Sequence, residues 1–124
     1  MRTRLVASCL LLLGTVSAGC GTSDEPATIV AGGDPERGKT ALAGFGCTSC
    51  HMIPGIRGAN GLVGPPLTQF ARRAYIAGQL PNDAENLVRW IQNPQAVEPG
   101  TAMPNLGVVP AVARDMAAYL YTLR

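Results

Sequence analysis

A chain of 124 residues has room for one compact domain and a targeting segment. With 47% apolar and 15% charged residues it has the composition of a globular protein, not a disordered one. The formal charge of +2 counts Arg2 and Arg4 at the extreme N-terminus; without them eight basic residues face eight acidic ones, and a neutral domain gives little electrostatic footing for nucleic acid.

The chain opens as a secretory signal. Arg2 and Arg4 form a positive head, the apolar run from Leu5 to Val16 includes four consecutive leucines, and Ser17, Ala18 and Gly19 are small. The run is too short to span a bilayer as a helix. Residues 1–19 are therefore set aside from the fold. Ser17-Ala18-Gly19-Cys20 resembles a bacterial lipobox, with Ser17 where leucine is usual. That resemblance implies cleavage before Cys20 and a lipid on its thiol; ordinary cleavage after Ala18 is the alternative, and would leave an exposed free thiol in an oxidising compartment. Two or three acyl chains, at about 0.8 kcal/mol per buried CH₂, would hold such a protein on a membrane. Residues 20–33, polar at first and ending in Gly32-Gly33, read as a linker averaging about 20 Å as a coil and stretching to roughly 50 Å.

Asp34, Pro35 and Glu36 supply an N-cap, a first-turn proline and an acidic first turn, and predict a helix running toward Gly44 or Gly46. Directly after it comes Cys47-Thr48-Ser49-Cys50-His51, which holds the only histidine of the chain. This is the C-x-x-C-H haem-attachment pattern. Its spacing has a chemical reason: two thiols on one turn can add to the two vinyl groups of a haem while the adjacent imidazole becomes an axial ligand. A thioredoxin-like pair would need a βαβ setting that this Gly- and Pro-broken chain lacks. A structural zinc site would need a fourth ligand beyond Cys47, Cys50 and His51 once Cys20 is acylated.

Residues 52–66 then form a long glycine-rich loop, a length that makes sense in so small a domain if it packs on a cofactor. Residues 67–75 are expected to hold a short helix. Asn82 and Glu85 resemble a capping box opening another helix, with Leu87, Trp90 and Ile91 on one face and an end at Asn93-Pro94. A last helix is expected from Pro110 to the C-terminus. With no second histidine, the sixth position of a haem iron falls to a methionine, water or an added ligand. Met1 leaves with the signal, Met52 adjoins His51, and Met116 shares a helical face with Val112, Leu120 and Leu123. Met103 remains, in the Pro/Gly-rich stretch 98–107 that cannot be helix or central strand. The alternative is a loop methionine that merely packs on the haem edge.

Residues 34–124 resemble class I cytochromes c, and in particular those associated with or fused to subunit II of cytochrome c oxidase. The likeness rests on Gly46-Cys47-x-x-Cys50-His51-x-Ile53-Pro54-Gly55, Val63-Gly64-Pro65-Pro66-Leu67, Tyr75-Ile76-Ala77-Gly78 and Pro99-Gly100-Thr101-Ala102-Met103-Pro104. It implies an all-α domain of three to five helices around one covalently bound haem c, with first and last helices crossing. It also implies that the Pro65 carbonyl accepts a hydrogen bond from His51, and that Gly38 meets Tyr119 or Leu120 where those helices touch. Trp90 has two open roles, an indole N–H to a haem propionate or plain packing. Arg72, Arg73 and Tyr75 are further propionate candidates, although adjacent arginines cannot both point inward.

The function so implied is not enzymatic: with His51 and Met103 on the iron, a single electron is carried, no small-molecule substrate is bound and no bond is broken. Methionine ligation and burial in an apolar shell favour the ferrous state and raise the potential. The expected setting is the periplasm or the outer face of the cytoplasmic membrane, with an upstream donor and a haem-copper terminal oxidase as partners. The alternatives are an open-site haem enzyme or gas sensor, and a cytochrome permanently docked in an oxidase or dehydrogenase.

Overall fold

Asp34 begins the first helix as its position before Pro35 predicts. In the computed structural model, which describes residues 28–124, its side chain accepts hydrogen bonds from the Glu36 and Arg37 amides, both at 2.9 Å, and α1 runs Pro35–Gly44. The signal and Cys20 lie outside the described residues. The expected linker is packed at its C-terminal end: Val30 is buried, the Gly33 amide bonds the Val30 carbonyl, and a Cβ on Gly33 would lie 2.6 Å from the Arg114 carbonyl oxygen. Val30 and Gly33 thus pack on the helical domain, through an apolar side chain and a glycine that fits against a backbone.

Among the described residues, four α-helices follow one another with one small sheet. After α1 come α2, Ala84–Gln92, α3, Pro94–Val97, and α4, Pro110–Leu120. Strands β1, Tyr75–Ile76, and β2, Leu80–Pro81, pair antiparallel with Ile76 opposite Leu80. Their three-residue connection, 77–79, holds Ala77 and Gly78 both at positive φ, and the Gln79 amide closes the turn on the Ile76 carbonyl at 3.0 Å. The helix expected within 67–75 is reduced to a 3₁₀ turn, Phe70–Arg72. Gln69 at φ +51° breaks the helical path before it, and the Ala71 amide turns to the Leu123 carbonyl.

Two helix boundaries differ from the sequence reading. The cap of α2 is Asp83, which accepts from the Asn86 amide at 2.8 Å, not Asn82. Asn82 faces inward instead: its amide donates to the Phe70 and Arg73 carbonyls and its oxygen accepts from the Tyr121 hydroxyl at 2.9 Å. Asn93-Pro94 ends α2 but also starts α3, since the Asn93 side chain accepts from the Ala96 amide and proline suits a first helical turn. The last helix stops at Leu120 and the chain continues as a turn.

The core forms where α1 and α4 cross. Gly38 lies directly on the α4 backbone: a Cβ there would run into the Asp115 carbonyl and sit 2.9 Å from the Met116 nitrogen. The expected partner of Gly38 was the side chain of Tyr119 or Leu120; the approach is to the backbone at Asp115, one helical turn earlier. Leu42, Met116, Ala113, Ala117 and Leu120 fill the surroundings, each of the larger ones worth about 1.5–3 kcal/mol of burial. Among the described residues, no buried side-chain polar atom lacks a partner.

A polar tie reinforces the crossing. Asp115 is buried on α4, and Arg37 grips it through two parallel bonds, Nε to Oδ2 at 2.8 Å and Nη2 to Oδ1 at 2.9 Å, while the Asp34 amide donates to Oδ1 at 2.8 Å. Hydrogen bonding from Arg37 first, then from the Asp34 amide, holds the Asp115 carboxyl below the usual carboxylate range. A carboxyl with a depressed folded pKa contributes stability above its unfolded value near 4, and loses that contribution as pH falls through the folded one. Urea midpoints measured from pH 7 down to pH 3 are therefore expected to fall more steeply in wild type than in Asp115→Asn, which should start lower at pH 7 and converge in acid. Parallel curves would contradict this role.

Candidate functional site

The chain leaves α1 through Phe45 and a left-handed Gly46 at φ +77°, and that turn presents the next residues as a 3₁₀ segment, Cys47–Ser49. The amides of Cys50 and His51 both donate to the Cys47 carbonyl, at 3.3 and 2.9 Å, so both thiols and the imidazole belong to one local unit. Cys47 and Cys50 are free thiols, each half-buried. Burial pushes the Cys47 thiol above the ordinary cysteine range, the opposite of the activated thiolate that a redox Cys-x-x-Cys nucleophile uses.

His51 is fixed from the far side of the loop. Its Nδ1 lies 2.8 Å from the Pro65 carbonyl oxygen. A carbonyl can only accept, so Nδ1 carries the proton and Nε2 is left with its lone pair for a metal. Gly64 makes the approach possible, because a Cβ there would lie 2.7 Å from Nδ1 and 2.9 Å from Nε2 of the ring. The loop is positioned by its own backbone: the Gly64 amide donates to Cys50 at 2.8 Å, the Leu67 amide to Met52 at 2.8 Å, and the Ile53 amide to Ala59 at 3.1 Å. Gly61 sits on the 3₁₀ turn, where a Cβ would come 2.6 Å from the Ser49 carbonyl. Tyr119 closes the end of the loop by donating its hydroxyl to the Pro54 carbonyl at 2.6 Å, over Gly55.

The three methionines among the described residues differ in burial. Met116 is wholly buried in the core, Met52 is exposed beside the histidine, and Met103 is half-buried in the loop after α3. Trp90 is half-buried on α2 and packs against the core. Of the two arginines, Arg72 is exposed and Arg73 is turned in, where it bonds the Pro66 and Thr68 carbonyls and lies 5.2 Å over the Phe70 ring. Burial lowers the Arg73 pKa from its ordinary value. Tyr75 is largely exposed, with 61% of its surface open. Sequence reasoning missed Gln95, whose side-chain amide bonds both the Met103 carbonyl and its loop. It also missed Asn82 as the hub beneath the 3₁₀ turn; both are single polar residues with no sequence pattern of their own.

These residues suit a covalently attached haem. Two free thiols on one turn match paired thioether formation, and an imidazole with Nδ1 occupied and Nε2 available suits an iron ligand. The cradle is shaped on the chain's side by Gly64, which leaves the ring unobstructed. A helical domain whose first and last helices cross beside this turn defines a class I cytochrome c.

The chain belongs to the cytochrome c family, whose sequence model matches residues 35–124. It is an electron-transfer protein of that family, related to a region of oxidase subunit 2. It is 36% identical over 81 residues to "Cytochrome c oxidase subunit 2" of Alkalihalophilus pseudofirmus, covering 65% of this chain and 22% of that protein. A second subunit 2, from Bacillus sp. strain PS3, is 35% identical over 65 residues, covering 51% of this chain and 18% of that one. The chain thus spans about a fifth of the length of these relatives. In three dimensions it is similar to cytochrome c2 from Rhodobacter sphaeroides, with a TM-score of 0.57 at 24% identity over 73% of this chain and 96% of that one. That likeness speaks to the fold alone.

Proposed function

We propose that this chain is a membrane-tethered mono-haem electron carrier of a respiratory chain that delivers electrons to a haem-copper terminal oxidase. The observation that carries the haem reading is the 2.8 Å bond between His51 Nδ1 and the Pro65 carbonyl on the same turn as two free thiols. Bound haem c supplies a one-electron ferric/ferrous couple. Cys47 and Cys50 would hold it by thioethers. His51 would bind the iron through Nε2, its ring oriented and made more basic by the Pro65 carbonyl, and Met103 would bind it through its sulfur. With both residues on the iron, no site would be left for a substrate, which suits a carrier. Trp90, half-buried against the core, has an indole N–H that could serve a propionate.

The membrane setting rests on the sequence around Cys20, where a lipid would keep the domain near its partners on the outer face of the cytoplasmic membrane or elsewhere in the periplasm. Among the described residues, no helix is long and apolar enough to cross a membrane. The oxidase as acceptor is supported by similarity to proteins named cytochrome c oxidase subunit 2. The same similarity favours a second reading, a cytochrome docked permanently on such an oxidase. Purification in mild detergent separates the two, since a docked subunit stays with the oxidase and a carrier does not.

Ligation is tested by the near-infrared methionine-to-ferric-iron absorption of the holo-protein. The band is expected in wild type and absent in Met103→Ala, whose ferrous form should then bind carbon monoxide. A band that survives the substitution would remove Met103 from the iron.

A further inference from the structure

The loop that carries Met103 is gathered onto one side chain of α3. Gln95 directs its amide nitrogen at two carbonyls, Thr101 at 2.8 Å and Met103 at 3.0 Å, and its amide oxygen accepts from the Gly100 N–H at 3.1 Å. A glutamine amide has two N–H donors and one carbonyl acceptor, so all three bonds are satisfied in this orientation, and the flipped amide would lose every one.

The supports on both sides are local and stiff. On the helix side, Asn93 caps α3 through the Ala96 amide and Pro94 is fully buried beneath it. On the loop side, Gly100 adopts φ +86°, which turns the chain so that residues 100, 101 and 103 all face Gln95. The Thr101 hydroxyl oxygen accepts from the Met103 amide at 3.4 Å, and the Thr101 amide returns to the Glu98 carbonyl at 3.1 Å. Among the described residues, Gln95 is the side chain that joins α3 to the backbone of Met103.

We propose that Gln95 is a positioning residue: by bonding the Met103 carbonyl and the two residues that set its path, it aims the methionine sulfur and keeps the loop closed over the haem site. The inference rests on Met103 being the iron ligand. Because Gln95 is exposed, water can solvate the three groups when it is removed, so the domain stays folded. Separate waters cannot tie the loop to one fixed point, and the loop opens more often. A ligand that binds only the open form gains apparent affinity in proportion to the open fraction.

The test is titration of ferric holo-protein with imidazole, following loss of the methionine band, in wild type, Gln95→Leu and Gln95→Glu. Gln95→Leu is expected to bind imidazole about tenfold more tightly than wild type, the factor that corresponds to losing one or two net hydrogen bonds. Gln95→Glu keeps the acceptor for Gly100 but sets a carboxylate against two carbonyls, so it should bind imidazole at least as tightly as Gln95→Leu. Urea midpoints of all three should stay close together, which a merely structural role for Gln95 would not give. Equal imidazole affinity in all three overturns the positioning role and leaves methionine ligation standing. A wild-type protein without the methionine band overturns the ligation reading and this inference with it.

Discussion

Gly38→Ala is expected to lower stability by about 3 kcal/mol or more, the largest cost of any single methyl group in this domain. The added carbon would overlap the Asp115 carbonyl and lie 2.9 Å from the Met116 nitrogen. Both are backbone atoms of α4 and cannot rotate away. The helices would have to separate, which unpacks Leu42 and Met116 and pulls Arg37 from its two bonds to Asp115. Gly44→Ala provides the comparison within the same helix, since a Cβ there meets nothing within 4 Å. It should be neutral or raise stability by a few tenths of a kcal/mol, because alanine is the better helix former. Urea unfolding of the two holo-variants measures the contrast; equal midpoints would mean that the crossing is not held by backbone approach.

Gly64→Val is expected to lower haem content sharply and to destabilise what matures by about 2–3 kcal/mol. The backbone there is not in the left-handed region, so the penalty comes from the ring that the new side chain would strike. Gly64 cannot retreat easily, because its amide bonds the Cys50 carbonyl at 2.8 Å and Pro65 next to it bonds His51. If the imidazole moves instead, Nδ1 loses the Pro65 carbonyl, and loss of such a support commonly weakens a metal site 10- to 100-fold. The haem-to-protein ratio after expression, read from absorbance, is the measurement. A ratio equal to wild type would show that the ring has room the structure does not provide.

What the sequence made legible follows from the range of each interaction. Cys47, Cys50 and His51 are readable because their chemistry is set by spacing within one turn. Asp34 is readable as a cap because its partners are two and three residues away. Pro65 and Gly38 came only through resemblance to a family, since each acts across the fold on a partner that no local pattern announces. Asp115 has no local pattern that marks it, because its partner is Arg37, 78 positions earlier. Asn82 stands three residues before Glu85, the spacing of a capping box. The neighbouring Asp83 caps instead, and burial of the Asn82 amide under Tyr121 decides between them. The short helix expected within 67–75 gave way to tertiary bonds from Ala71 and Asn82. Gln95 carries no motif because its three bonds exist only once Gly100 has turned the loop back on α3.

The central claim is that this domain carries an electron at a haem closed on both faces by its own side chains. Adding carbon monoxide to the ferrous wild-type holo-protein tests it most directly. If Met103 holds the iron as proposed, the spectrum is expected to remain unchanged; rapid stoichiometric formation of the carbonyl complex would contradict that ligation and make the site an open one, fit for sensing or catalysis.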